Sequence, residues 1–130
     1  MIICDTHVLV FDGLVPSRLS AKARRLLKEG EESAQLACAD ISLWEIAILI
    51  ARGRIKVGAG PEDFIRALLD ARGYRVQPIT AEIAARSQSA EIPHRDPADR
   101  LIAATALVGD SDLLSADAAM REVPGLRVVW

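Results

Sequence analysis

Short apolar segments alternate along this chain with longer stretches in which apolar residues recur at helical spacing, and this alternation limits its fold. The first apolar segment, residues 1–4, ends abruptly at Asp5. Strands are predicted at residues 1–4, 35–39, 75–79, 113–115 and 127–130. Because helical stretches separate these strands, we expect an α/β fold whose central sheet is mainly parallel.

End signals support the helices predicted between the strands. Ser20 is a typical N-cap, and Gly53 and Gly73 are typical helix stops. Asp96 followed by Pro97 is typical of a helix start, with an N-cap and then proline at the first helical position. The predicted helices cover 21–32, 42–52, 61–73, 81–89 and 97–108, with a helical turn at 117–121, whereas 6–12 fits either a helix start or a loop.

The size and composition indicate one globular domain over residues 1–130. A chain of 130 residues can bury a stable core, and 51% apolar residues exclude general disorder. No apolar run is long enough to span a bilayer. Cys4 and Cys38 are predicted as buried thiols rather than a disulfide, so we expect a cytoplasmic protein. The net charge of −2 argues against binding of nucleic acid through bulk positive charge, but it is compatible with a protein that handles nucleic acid at one local site.

Five carboxylates fall where a predicted strand ends or a predicted helix begins. They are Asp5, Glu45, Asp96, Asp99 and Asp117. Ligands bind at this edge of open α/β sheets. Carboxylates brought together repel one another unless a cation holds them, and hard oxygen ligands suit Mg²⁺ or Mn²⁺. The sequence therefore predicts a divalent-metal site that activates water and stabilises phosphate oxygens during an in-line displacement.

Helix capping is the competing interpretation of the same acids. Ser42 and Glu45 fit a capping box. Asp96 and Asp117 fit N-caps of the helical segments that follow them. Asp5 is explained least well in this way, because it ends a buried strand and has no obvious helix to cap.

Five segments, taken in their order and spacing, resemble the PIN-domain proteins of the VapC toxin family. They read MIICDTHVLVF, SLWEIAIL, HRDPADRLIAATAL, LLSADAAM and GLRVVW, and together they span nearly the whole chain. The resemblance implies a three-layer α/β/α sandwich and a metal-dependent ribonuclease. It also implies a small VapB-like antitoxin as partner and a homodimeric assembly.

The resemblance further implies roles for individual residues. Asp5, Asp99 and Asp117 would hold the metal, with Glu45 contributing directly or through water. Three accessory residues complete the match, namely Asp96, Thr6 and Ser115. Asp96 would support the ligands without binding the metal, or would act as a helix cap. Thr6 would orient a ligand or phosphate. Ser115 keeps the hydroxyl of the threonine that is common at this position in the family.

Basic side chains near these segments are candidates for contacts with RNA. They are His94, Arg95, Arg100, Arg52 and Arg54. Phosphate contacts generally come from such side chains. Neither histidine of the chain has the spacing of a metal-binding pair. Trp44 and Trp130 are expected in the core or an interface, since aromatic residues make up only 4% of the chain and a base-stacking platform is not expected.

Two other functions also fit the acidic residues. One is a metal-dependent phosphohydrolase of another kind. A phosphatase of the haloacid-dehalogenase type would require a second acid two residues after Asp5. His7 occupies that position, which counts against this alternative. The other is a non-catalytic, receiver-like interaction domain in which Asp5 or another acid is a regulatory site.

Overall fold

Five short strands form one parallel sheet in the computed structural model, which describes every residue from Met1 to Trp130. The strands are β1 (Ile2–Cys4), β2 (Leu36–Ala39), β3 (Arg75–Gln77), β4 (Asp112–Leu114) and β5 (Val128–Val129). Their order is β3-β2-β1-β4-β5, and every neighbouring pair is parallel. The predicted α/β class is confirmed, and the strands lie within two residues of their predicted bounds.

Six helices connect or flank the strands. They are α1 (Thr6–Leu14), α2 (Ala21–Glu32), α3 (Ile41–Ala51), α4 (Pro61–Arg72), α5 (Ala81–Ser87) and α6 (Pro97–Val108), with short 3-10 turns at Pro16–Arg18 and Ala118–Glu122. The segment 6–12 that fitted either a helix or a loop is therefore helical. No helix has both the length and the apolar character needed to cross a bilayer.

Helix ends follow the sequence signals, with one exception. The Ser20 hydroxyl accepts the Ala23 amide, and Gly73 ends α4 in the left-handed region at φ 69°. The exception is α3, which begins at Ile41 after Asp40. Ser42 therefore lies inside the helix, and the capping-box interpretation of Ser42 and Glu45 is wrong.

Neighbouring residues of a strand point to opposite faces of the sheet, and each face is covered by helices. Cys4 of β1 packs in a core whose helical members include Leu27 of α2 and Leu68 of α4. Ile3, one residue earlier, packs in a second core with Ile102 of α6. The sheet thus lies between two helical layers, which confirms the three-layer sandwich.

β1 lies at the centre of the sheet. Beside it, the direction in which successive strands are added to the sheet reverses. The chain moves from β1 to β2 and β3 on one side, and later places β4 and β5 on the other. Receiver modules have the order 2-1-3-4-5, so the receiver-like alternative does not fit this sheet. The carboxyl ends of β1 and β4 flank the point of reversal, where ligands bind in open α/β sheets.

A bidentate ion pair joins the helices of one layer away from that edge. Arg72 at the end of α4 donates from Nε and Nη2 to the two carboxylate oxygens of Asp12 in α1, at 2.7 and 2.9 Å. Asp12 also accepts the Tyr74 hydroxyl at 2.7 Å, and Arg72 reaches Glu31 of α2 at 2.8 Å. These contacts have a structural role.

Cys4 and Cys38 are free and buried, as predicted.

Candidate active site at the carboxyl edge of the sheet

Asp5 lies at the carboxyl end of β1 with one carboxylate oxygen held and the other free. It occupies the N-cap position of α1, yet its side chain makes no capping hydrogen bond. Its Oδ2 accepts the Ser115 hydroxyl at 2.6 Å, across 110 residues of sequence. Its Oδ1 is buried and has no hydrogen-bond partner. A buried, unpartnered carboxylate oxygen is costly unless something binds it.

Asp99 and Asp117 face Asp5 across a cavity of about 270 Å³. Asp99 lies in the first turn of α6, and Asp117 follows β4. The cavity is also lined by His7 and Phe11 of α1. The structure therefore brings together three predicted metal ligands that are separated by up to 112 positions in sequence.

Glu45 of α3 is held by the residue that follows Asp5. The Thr6 hydroxyl donates to Glu45 Oε1 at 2.5 Å, and it lies 2.9 Å from the hydroxyl of Ser42. Thr6 and Ser42 are both buried. The hydroxyl of Thr6 thus orients an acidic side chain, and Ser42 supports that contact from the first turn of α3.

Asp96 is both a helix cap and a member of the acidic group. Its Oδ1 accepts the Ala98 amide at 2.9 Å, as expected of an N-cap. One of its oxygens also lies within 4.8 Å of oxygens of Glu45 and Asp99. The capping and functional interpretations of Asp96 are therefore compatible.

His94 lies among the acids, although its sequence spacing gave no sign of a metal-site residue. Its Nε2 is 2.8 Å from Asp117 Oδ2 and 3.2 Å from Asp99 Oδ2. The three side chains form a second group that could hold a cation, and Asp99 is common to both groups. No local sequence pattern indicates this placement of His94.

Burial and crowding shift the acids toward their neutral forms. Burial raises the pKa of Asp5, although the Ser115 hydrogen bond opposes the shift. Burial also raises the pKa of Asp99 to about 7, and the nearby charge of Asp5 adds to this effect. Burial raises the pKa of Glu45 against the donation from Thr6. Shifts of this kind are common at functional sites.

The pairing of Asp117 with His94 favours the charged form of each side chain. Burial disfavours the charged form of Asp117, but the hydrogen bonds from His94 and from the Ala119 amide outweigh it and lower the pKa. For His94, burial disfavours the imidazolium, but the Asp117 hydrogen bond and the Asp99 charge raise the pKa.

The donor set fits a hard divalent cation. Mg²⁺ and Mn²⁺ prefer carboxylate oxygens, and the groups here supply four or more. The unpartnered Oδ1 of Asp5 is the clearest sign, because it is a buried acceptor at the same cavity as Asp99 and Asp117. Asp99 belongs to both groups and Asp5 lines the same cavity, so the four predicted ligands Asp5, Asp99, Asp117 and Glu45 lie at one edge of the sheet, and their role as ligands stays a prediction.

The basic candidates divide into exposed and engaged side chains. Arg95, Arg52 and Arg54 are exposed, and Arg54 lines a neighbouring cavity together with His7. Arg100 is not free, because its guanidinium donates to four backbone carbonyls, those of Ser87, Ser89, Ile92 and His94. The prediction that Arg100 contacts RNA is therefore replaced by a structural role.

The tryptophans also differ from each other. Trp130 is half-buried and packs against the core on the α2 and α4 face of the sheet. Trp44 is 59% exposed on α3, so the expectation that it lies in the core is wrong. An interface role for Trp44 stays a prediction.

Comparisons with known proteins agree with this fold. The sequence profile of the PIN domain matches residues 2–126. Ribonuclease VapC22 of Mycobacterium tuberculosis is 33% identical over 122 residues, which cover 92% of this chain and 89% of that protein.

Solved structures share the fold at lower identity. VapBC2 from Rickettsia felis, bound to a DNA fragment from their promoter, superposes with a TM-score of 0.74 at 16% identity, covering 99% of this chain and 98% of that one. FitAcB from Neisseria gonorrhoeae superposes with a TM-score of 0.68 at 20% identity, covering 100% and 97%.

Proposed function

The chain belongs to the PIN domain family, and on that premise we propose that it is a divalent-metal-dependent endoribonuclease of the VapC type, the toxin of a VapBC-type toxin–antitoxin pair. One observation carries the catalytic part of this proposal. The side chains of Asp5, Asp99 and Asp117 line one cavity at the point where the strand order reverses, and Asp5 has a buried oxygen without a partner. Family membership supports RNA as the substrate, because the curated relative is named a ribonuclease.

The metal is held by Asp5, Asp99 and Asp117 in this proposal, with Glu45 contributing directly or through water. Mg²⁺ or Mn²⁺ supplies, when bound, a Lewis acid for water activation and for charge stabilisation on phosphate oxygens. Four carboxylates at one edge fit either ion. No protein nucleophile is needed for this chemistry.

The side chains around the acids orient them. Ser115 donates to Asp5 Oδ2, while Oδ1 is buried and has no partner. Thr6 donates to Glu45 and keeps that carboxylate beside Asp96 and Asp99. Asp96 caps α6 and so fixes the first turn that carries Asp99. This preorganisation lowers the cost of gathering several negative charges in one place.

Exposed arginines supply positive charge for the RNA backbone in this proposal. Arg95 lies one residue after His94, and Arg52 and Arg54 follow the end of α3. Phosphate contacts of this kind position a nucleic acid without reading its sequence. We therefore expect shape and backbone recognition rather than base stacking.

A VapB-like antitoxin is the expected protein partner, as in the VapBC and FitAB assemblies with the same fold. We also propose a homodimer, for which the exposed Trp44 on α3 is a candidate contact. We expect residues 1–130 to act as one domain in the cytoplasm. A short reading frame for a VapB-like protein next to this gene would support the pairing.

Cleavage of structured RNA by the purified protein tests the catalytic proposal. The reaction is run with Mg²⁺, with Mn²⁺ and with EDTA, for the wild type, for Asp5→Asn and for Asp70→Asn. Asp70 is an exposed acid of α4, and its variant matches the charge change outside the site. We expect metal-dependent cleavage by the wild type and by Asp70→Asn, and none by Asp5→Asn.

The opposite result is equally clear. Equal cleavage by the wild type and Asp5→Asn would show that the acidic site is not responsible. Cleavage that persists in EDTA would contradict a metal-dependent mechanism.

A further inference from the structure

His94 connects two acids that come from different parts of the chain. Asp99 lies in α6, and Asp117 lies after β4. The Nε2 atom of His94 is 2.8 Å from Asp117 Oδ2 and 3.2 Å from Asp99 Oδ2, and the side chain is only 15% exposed. A single ring nitrogen thus lies between two carboxylates that would otherwise only repel each other.

A backbone hydrogen bond to the other ring nitrogen indicates which nitrogen carries the proton. The Asp96 amide donates to Nδ1 of His94 at 3.3 Å. An Nδ1 that accepts a hydrogen bond carries no proton, so in the neutral ring the N–H is on Nε2. With the proton there, Nε2 donates to Asp117 Oδ2, lies 3.2 Å from Asp99 Oδ2 and has no lone pair for a metal. Each carboxylate keeps further lone pairs for a cation.

Arg100 fixes the backbone that carries His94. It follows Asp99 in α6 and donates to the carbonyl of His94 at 2.7 Å and to those of Ser87 and Ser89 at 2.7 and 2.8 Å. It also donates to the carbonyl of Ile92. The loop before α6 is thereby tied to the same helical turn that bears Asp99, so ring and carboxylate keep one relative position.

We propose that His94 is a positioning residue that sets the separation of the Asp99 and Asp117 carboxylates for one divalent cation, with Arg100 holding His94 in place. This inference rests on the metal site of the proposed function. Residues that orient metal ligands by hydrogen bonds are typically worth about 10- to 100-fold in metal affinity. His94 therefore acts through the two acids and does not itself bind the metal.

Mn²⁺ binding measured by calorimetry tests the role of the Nε2 donor. His94→Gln places an amide N–H near the position of Nε2, whereas His94→Ala removes the donor. Glu91→Gln is the matched control, because Glu91 is exposed on the same loop and faces Arg86 rather than the acids. We expect His94→Ala to bind Mn²⁺ about 10- to 100-fold more weakly than the wild type, and His94→Gln and Glu91→Gln to stay within about threefold.

Three results would overturn the proposal while leaving the metal site intact. Equal affinity of the wild type and His94→Ala would show that His94 does not organise the acids. Tighter binding by His94→Ala would show that the ring obstructs the cation. Equal losses in His94→Gln and His94→Ala would indicate a requirement that the N–H donor does not explain. If the wild type itself does not bind Mn²⁺, the metal site fails first, and the inference fails with it.

A measurement on the wild type keeps the test independent of whether the variants fold. Nitrogen-15 chemical shifts of the His94 ring in the Mg²⁺-loaded protein report which nitrogen carries the proton. We expect a protonated Nε2 and an unprotonated Nδ1. A proton on Nδ1 with a metal-shifted Nε2 would make His94 a ligand and overturn the positioning role.

Discussion

The hydroxyl of Thr6 donates to the Glu45 carboxylate at 2.5 Å and so joins the first turn of α1 to the middle of α3. Thr6 directly follows Asp5, and it is 1% exposed. A single residue after β1 thus orients a carboxylate that lies 39 positions further along the chain. This contact explains how Glu45 is held among the acids without acting as part of a capping box.

Thr6→Val is expected to lower cleavage, since valine has nearly the shape of threonine but no hydroxyl. The Thr6 donation lowers the pKa of Glu45 against the effect of burial, so its loss raises that pKa further. Thr6→Ser retains the donor and is expected to retain activity. The comparison is made from pH profiles of RNA cleavage, where the acidic limb of Thr6→Val moves to higher pH. Superimposable profiles for the two variants would contradict the role assigned to the hydroxyl.

Asp5→Asn is expected to stabilise the metal-free protein while it abolishes cleavage. Burial raises the pKa of Asp5 above its ordinary value, so the folded state binds this proton more tightly than the unfolded state does. When the pKa of an acid is higher in the folded state than in the unfolded state, stability is lost as pH rises from the unfolded-state pKa through the folded-state pKa. We expect a rise in Tm of roughly 4 °C, corresponding to about 1 kcal/mol in a domain of this size.

The pH dependence of that effect provides its control. The rise in Tm should be larger at pH 8 than at pH 4, because the wild-type carboxylate is charged only at the higher pH. Thermal unfolding in EDTA measures it for Asp5→Asn beside Asp70→Asn, which is expected to be unchanged. A lower Tm for Asp5→Asn at pH 8 would show that the buried carboxylate stabilises the metal-free fold.

Metal affinity is expected to increase with pH up to neutrality. The pKa of Asp99 is raised to about 7 in the metal-free protein, so a cation must displace a proton below that pH. One displaced proton changes the apparent affinity by about tenfold per pH unit below pH 7, and the dependence flattens above it. Calorimetry in buffers of different ionisation enthalpy counts the released proton. An affinity for Mn²⁺ that is flat between pH 5.5 and 8 would contradict this expectation.

Asp12→Ala is expected to destabilise the protein without changing Mn²⁺ affinity. The change leaves the Arg72 guanidinium and the Tyr74 hydroxyl without their shared acceptor. We expect a loss of about 2–3 kcal/mol in the free energy of unfolding, because one partner of a mostly buried charged pair is removed. Glu62→Ala is a suitable control, since its pair with Arg66 is exposed. Urea unfolding measures both, and a loss below about 0.5 kcal/mol for Asp12→Ala would contradict the prediction.

Much of the fold could be predicted because local signals and tertiary structure agree. The Ser20 cap, the Gly73 stop and the Asp96-Pro97 start all occur where their side chains or φ angles predict. The capping box at Ser42 failed because Asp40 already has helical backbone angles, φ −60° and ψ −30°. The chain therefore turns from β2 into α3 one residue earlier than an extended cap would allow.

The acidic part of the site could also be predicted, whereas its supporting contacts could not. Asp5 and Asp117 each follow a strand, and strand ends meet at one edge of a parallel sheet. His94 and Arg100 depend instead on how an irregular loop folds back on α6, which no local pattern records. The core alternative for Trp44 failed for a related reason, since α3 is apolar on nearly all sides and its sequence does not reveal which side is covered.

The contact between Asp5 and Ser115 also bears on how the protein is made. It requires β4 to pair with β1, the first strand to be synthesised, while Asp117 follows only after β4. Synthesis proceeds from the amino terminus. A nascent chain therefore contains Asp5 and Glu45 long before the acidic cluster can close, and in the proposed site a product that ends before Asp117 would lack one ligand. For a ribonuclease made on a ribosome, among RNAs that it could cut, the proposed site thus predicts activity only when synthesis is almost finished.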